Sequence, residues 1–166
     1  MVRLRVMTCP VPLSPLRFTE DDLTGPEIVA LLRLHLDEMH AWSPPESVHA
    51  MPVERLRQSD VTFWSAWQGD RLAGCGALRQ IDAGHGELKA MRAHPDFRGQ
   101  GVGKALLAHL VAMARQRGYR RLSLETGSPD PFIPARRLYE SHGFVHCGPF
   151  ADYREDPFSV FMTQQL

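Results

Sequence analysis

Cysteine is scarce in this 166-residue chain: Cys9, Cys75 and Cys147 lie far apart and form no CxxC pair. That excludes a disulfide framework and a zinc knuckle, and it suits a reducing compartment. No run approaches the ~18 apolar residues of a membrane helix. Arg3 and Arg5 precede a stretch broken by Pro10, Pro12 and Pro15, so a secretory signal is not expected and the cytoplasm is the default location. An excess of charge is missing too, with 19 basic and 19 acidic side chains. A nucleic-acid partner would call for a basic excess or a clustered basic face. The richest basic stretch, Arg115 to Arg121, ends a predicted helix, where the helix dipole favours cations. Several catalytic signatures are also lacking. There is no GxSxG elbow, no HExxH and no carboxylate-flanked histidine cluster, so neither a serine hydrolase nor a metal site is expected.

What is present supports one folded unit. An apolar share of 43% is enough for a sizeable core. Residues 1–15 read as a Pro-rich leader, possessing little that would order them, and 16–166 as a single domain. After a short strand at Leu16–Thr19, Thr24 is the expected N-cap of a helix running to about His40. Pro26 and Glu27 suit its first turn, and Ile28, Leu31, Leu32, Leu36 and Met39 recur at helical spacing. A second short helix is expected over Val53–Arg57. Strands follow at Val61–Trp67, Leu72–Gln80 and Glu87–Ala93, joined by turns too short for crossovers and hence antiparallel. Trp64 and Trp67 are expected in the core. A helix over Gly103–Gln116, stopped by Gly118, leads to a strand at Arg121–Thr126 parallel to its predecessor. A helix at Ala135–Ser141, stopped by Gly143, and closing strands at Phe144–Cys147 and Ser159–Thr163 complete the chain. The class is α/β (α+β), one mixed sheet with helices on both faces.

The segment Arg98-Gly99-Gln100-Gly101-Val102-Gly103 follows a strand and opens a helix. A helix start presents unpaired N–H groups and a partial positive charge, so it suits phosphate oxygens. Gly101 and Gly103 let the backbone approach a ligand closely, and Arg98 adds a cation. The P-loop pattern GxxxxGK[ST] is not met, because Ala105 follows Lys104. Glu125 lies near the acidic residue expected ~20 positions after a dinucleotide fingerprint, so spacing alone leaves that reading open. The preceding antiparallel meander argues against it.

Two motifs carry a family resemblance. The run from Leu88 to Pro95, followed by Arg98-Gly99-Gln100-Gly101-Val102-Gly103-Lys104, resembles the cofactor motif [QR]xxGx[GA] of the GNAT acetyltransferase superfamily. Ala135 to Phe144, with Leu138-Tyr139 and Gly143-Phe144, resembles its AxxLYxxxGF segment. Ser43-Pro44-Pro45-Glu46-Ser47 and Phe63-Trp64-Ser65-Ala66-Trp67 further resemble one bacterial branch of the superfamily. The likeness covers about residues 16–165. It implies a GNAT-like, mostly antiparallel sheet with a splayed central parallel strand pair.

It also implies a site. Met91, Arg92 and Ala93 would offer main-chain partners to the pantetheine arm of acetyl-CoA. Residues 98–104, namely Arg98, Gly99, Gln100, Gly101, Val102, Gly103 and Lys104, would hold its pyrophosphate. Glu87, eleven residues before Arg98, is the candidate general base, with Glu125 on the next strand as its rival. Tyr139 is the candidate general acid for the departing thiolate. The family commonly places an asparagine three residues before the helix alanine, where this chain has Phe132, so a side-chain bond to the arm is not expected there. The acceptor would enter beside Trp42, Ser43, Glu46, His49, Glu125, Asp152 and Tyr153. The function implied is acetyl transfer from acetyl-CoA to a primary amine of a small molecule or amino acid, by direct attack in a ternary complex. A non-catalytic acyl-CoA sensor and a peptide or protein N-acetyltransferase are the alternatives. No metal, nucleic acid or membrane partner is implied, and a homodimer is left open.

Overall fold

A computed structural model of the chain describes residues 15–166. Cys9 and the proposed leader, Pro15 apart, lie outside the described residues. The elements in order are β1 (Arg17–Glu20), α1 (Pro26–Trp42), α2 (Val53–Leu56), β2 (Val61–Gln68), β3 (Arg71–Asp82), β4 (His85–Ala93), α3 (Val102–Gln116), β5 (Arg121–Gly127), α4 (Ile133–Ser141), β6 (Val145–Cys147) and β7 (Ser159–Gln165). Single 3₁₀ turns sit at Pro45–Ser47, Pro95–Phe97 and Asp130–Phe132.

Helix α1 begins one residue later than Thr24 as cap would place it. Gly25 is the N-cap without a side-chain cap bond, and the Thr24 hydroxyl donates instead to Asp22 Oδ1 at 2.6 Å. An Asx-type turn at Asp22 has taken the threonine, while Pro26 opens the helix as expected. The helix buries Ile28, Leu31 and Leu32 and runs to Trp42, ending before Pro44-Pro45.

The seven strands form one sheet in the order β1-β2-β3-β4-β5-β7-β6. All pairings are antiparallel except β4 with β5. The apolar residues of α1 and Leu56 of α2 pack with Phe63, Leu72, Cys75 and Ala77 in one cluster. Leu107, Leu110, Val111 and Ala114 of α3, with Tyr139 of α4, join Trp64, Leu88, Leu122 and Leu124 in another. Trp64 is buried as expected, and Trp67 is partly buried against the first cluster. Among the described residues, no helix is long and apolar enough to cross a membrane.

The central parallel pair is short. β4 and β5 are in register only from His85–Arg121 to Glu87–Ser123. Beyond that, β5 keeps β7 and β4 keeps β3, so the two strands part while each stays anchored on its outer side. A bulge in β4 accompanies the parting. Cys75 pairs with Arg92 and Ala77 with Lys89, which leaves Gly76 facing both Ala90 and Met91. Ala90 takes up the extra residue at φ +51°, a left-handed conformation that costs an L-residue ~1–2 kcal/mol. Bulges bend and twist the strand that carries them.

Candidate active site

The opening between β4 and β5 is a cleft of about 630 Å³. One wall is β4 from Leu88 to Ala93, and the other is β5 from Leu124 to Gly127. The glycine-rich segment closes one end. Gly99 and Gly101 have φ of +73° and +83°, where an L side chain would be strained. Gly101 is the N-cap of α3 and offers no side chain, so the N–H groups of the first turn have no side-chain cap. Arg98, Gly99 and Gly103 line the cleft. Gln100 turns back to donate to the Asp96 carbonyl at 3.2 Å, the Val102 side chain is buried in the core, and Lys104 is exposed. An anion at this helix start would therefore meet main-chain N–H groups more than side chains.

The structure brings most of the sequence-predicted residues into two adjoining clefts. Met91, Arg92, Ala93, Glu125, Tyr139, Trp42, Ser43 and His49 line the larger one. A second cleft of about 440 Å³ holds Glu46, Asp152 and Tyr153, again with His49. His49 and Lys89 border both. The hydroxyl of Ser47 donates to Asp156 Oδ2 at 2.7 Å, tying the turn after α1 to the segment between β6 and β7.

The two candidate bases differ in setting. Glu87 is fully buried and lines neither cleft. Its Oε2 accepts from the Tyr153 hydroxyl, and its Oε1 accepts from Arg79 Nη1 at 3.2 Å. Lys89 Nζ lies 3.9 Å from Oε2. Arg79 also pairs with Asp60, Nε to Oδ2 at 3.4 Å. Glu125 has fewer partners: Ser159 Oγ donates to its Oε1 at 2.9 Å. Burial pushes its carboxyl up to about 7, against which that hydrogen bond and Lys89 act. Glu125 can therefore exchange a proton near neutral pH, and it faces the cleft.

Tyr139 is buried between core and cleft, its ring 6.0 Å from that of Phe144. Burial, with the Glu125 charge acting the same way, holds its phenol neutral up to about 12. Tyr153 is likewise held protonated, by burial first and then by the Glu87 carboxylate. Three participants escaped the sequence reading: Arg79, Lys89 and Ser159. Lys89 had a usable signal, since it stands two residues from Glu87 on a strand and so shares its face. Among the described residues, no group of three or more His, Cys, Asp or Glu side chains could hold a metal ion.

Comparison with known proteins places this arrangement. Residues 28–144 match the model of the acetyltransferase (GNAT) family. The chain is 58% identical over 146 residues to a Bacillus subtilis protein named uncharacterized N-acetyltransferase YsnE, covering 88% of this chain and 97% of that one. It is 49% identical to the uncharacterized N-acetyltransferase YedL of Escherichia coli, covering 88% and 92%. A Klebsiella pneumoniae crystal structure described as a putative acyl-CoA N-acyltransferase superposes with a TM-score of 0.73 at 33% identity, covering 91% and 97%. With the splayed strand pair and the helix-capping glycine loop, these matches settle the family: the chain belongs to the GNAT acetyltransferases.

Proposed function

We propose that the protein transfers an acetyl group from acetyl-CoA to the primary amine of a small molecule or amino acid, by direct attack in a ternary complex in the cytoplasm. The observation that carries this reading is the cleft between β4 and β5. It runs from the glycine loop at one end to Glu125 and Tyr139 at the other. The pyrophosphate is held by the N–H groups at the start of α3, with Arg98 beside them. The pantetheine arm lies along Met91, Arg92 and Ala93, whose edge toward β5 has no strand partner beyond Glu87.

In the reaction the acceptor nitrogen attacks the thioester carbonyl carbon, a C–N bond forms and the C–S bond breaks. Glu125 takes the proton that the nitrogen loses, since it lines the cleft and titrates near neutrality. Tyr139 gives a proton or a strong hydrogen bond to the departing thiolate; it stays protonated at any working pH. Glu87 has a different part. Its carboxylate holds Arg79 and Tyr153 and fixes the floor of the second cleft. A sensor would need the loop but neither Glu125 nor Tyr139.

Titration of the protein with acetyl-CoA, followed by thiol release across a panel of amines and amino acids, tests this reading. Absence of binding sinks it, and binding without release from any amine leaves the sensor. Two variants sharpen the test. Gly101→Val forces a β-branched residue into a left-handed conformation at the cap of α3. It should weaken acetyl-CoA binding by ~10-fold or more and lower stability by ~1–2 kcal/mol, read by calorimetry and thermal melting. Tyr139→Phe keeps the ring packing and removes the donor. Its kcat should drop by about 10²-fold in the thiol-release assay, with acetyl-CoA affinity retained.

A further inference from the structure

The junction of the two clefts carries a charge that the chemistry above does not use. Lys89 borders both clefts with its side chain 8% exposed. Its Nζ donates to the His49 carbonyl and to Tyr153 Oη, each at 3.0 Å. Among the described residues, the third N–H has Glu87 Oε2 at 3.9 Å, beyond hydrogen-bond distance. Its counter-ions are already engaged. Asp60 serves Arg55 and Arg79, and Glu87 serves Arg79 and Tyr153. Glu125, whose charge also reaches Lys89, accepts from Ser159, so the ammonium keeps one N–H without a hydrogen-bond acceptor among the described residues. A buried ammonium N–H left without an acceptor is costly, and an arriving carboxylate supplies one.

We propose that Lys89 is the anchor for a carboxylate on the acceptor, so that the acceptor is an amino acid rather than a simple amine. This rests on the acyltransfer reading of the same cleft. With its carboxylate on Lys89, an α-amino acid presents its nitrogen only two bonds further on. Lys89 and Glu125 are close enough for each to feel the other's charge. The nitrogen is thereby delivered between the base and the donor cleft. The side chain of the amino acid points into the second cleft, whose walls carry Glu46, Asp152, Glu155 and Asp156 against Arg154, Arg79 and Lys89, of which Arg79 is held by Asp60 and Glu87 and Lys89 by the acceptor's carboxylate. That field disfavours a second carboxylate on the acceptor and favours a basic or neutral side chain. The Tyr153 ring, 5.7 Å from Lys89 Nζ and packed edge-on to His49, fixes the wall between the two ends.

The test is a titration of the whole protein, with and without saturating CoA, against free amino acids and the C-terminal amide of each. At least one amino acid should bind, and its amide about 30-fold more weakly or not at all. Arginine and lysine should bind ahead of aspartate and glutamate. Lys89→Met should level acid and amide, with its melting curve and CoA affinity recorded alongside to show that it is folded. Equal binding of acid and amide to the unaltered protein overturns the inference, as does binding of no amino acid, or a preference for aspartate and glutamate. Acetyl-CoA binding with thiol release from simple amines alone would leave the acyltransfer reading standing and this one refuted. Failure of acetyl-CoA to bind strikes the acyltransfer reading instead.

Discussion

Glu125→Gln should abolish most turnover while making the protein more stable at pH 8. The loss follows from its place in the cleft: removing a positioned base typically costs 10²–10⁴-fold, so kcat should fall by about 10³ with acetyl-CoA affinity nearly unchanged. The gain follows from its raised carboxyl, near 7 in the folded protein. An unfolded chain ionises a glutamate around ~4.3, so between there and 7 the unfolded state is favoured increasingly as pH rises. The penalty is complete above 7 and amounts to roughly 4 kcal/mol. Glutamine keeps the neutral shape and avoids it. Melting temperatures of the two proteins should therefore diverge at pH 8 and converge at pH 4. The unaltered enzyme should show kcat/KM rising with pH to a plateau above about 7. Full activity in the glutamine variant would move the base to Glu87 or to water.

Arg79→Met should be the most damaging single change to the second cleft's floor. Arg79 is the only guanidinium bonded to Glu87 among the described residues, and Glu87 is fully buried. Taking one partner from a buried pair leaves the other charge uncompensated, at a cost of ~3–5 kcal/mol. Tyr153 and the more distant Lys89 remain, so the lower end of that range is expected. The double variant Arg79→Met, Glu87→Gln should regain more than half of the loss, because neither side chain is then a stranded ion. Urea denaturation of the four proteins of this cycle measures it. A single-variant loss below about 1 kcal/mol would show that Tyr153 alone satisfies Glu87.

The elements and the glycine loop were legible because their signals are local. Helical spacing in Leu106, Leu107, Leu110 and Val111 and the stops at Gly118 and Gly143 depend on neighbours within a few residues, and the strands followed in the expected order. Expected boundaries moved by two residues at most, as for α1, where Asp22 competed for Thr24. The choice between Glu87 and Glu125 was a different problem. Both stand on strands in the centre of the sheet, and their sequences give no measure of which one meets a guanidinium. That depends on Arg79 from β3 and Tyr153 from beyond β6, contacts set by register across the sheet. The bulge at Ala90 was equally invisible, since an alanine carries no mark of a left-handed conformation.

The two clefts come from different parts of the chain. The donor side is one continuous stretch, from β4 through the glycine loop into α3, completed by β5 and α4. The far side draws its walls from the turn after α1 and from residues 152–156, and the latter lie beyond Phe144, where the family match ends. They meet at His49 and Lys89. Substitutions in the short segment between two closing strands, and in the turn clasped to it by Ser47, can therefore retool what is acylated without touching the glycine loop or the splayed strands.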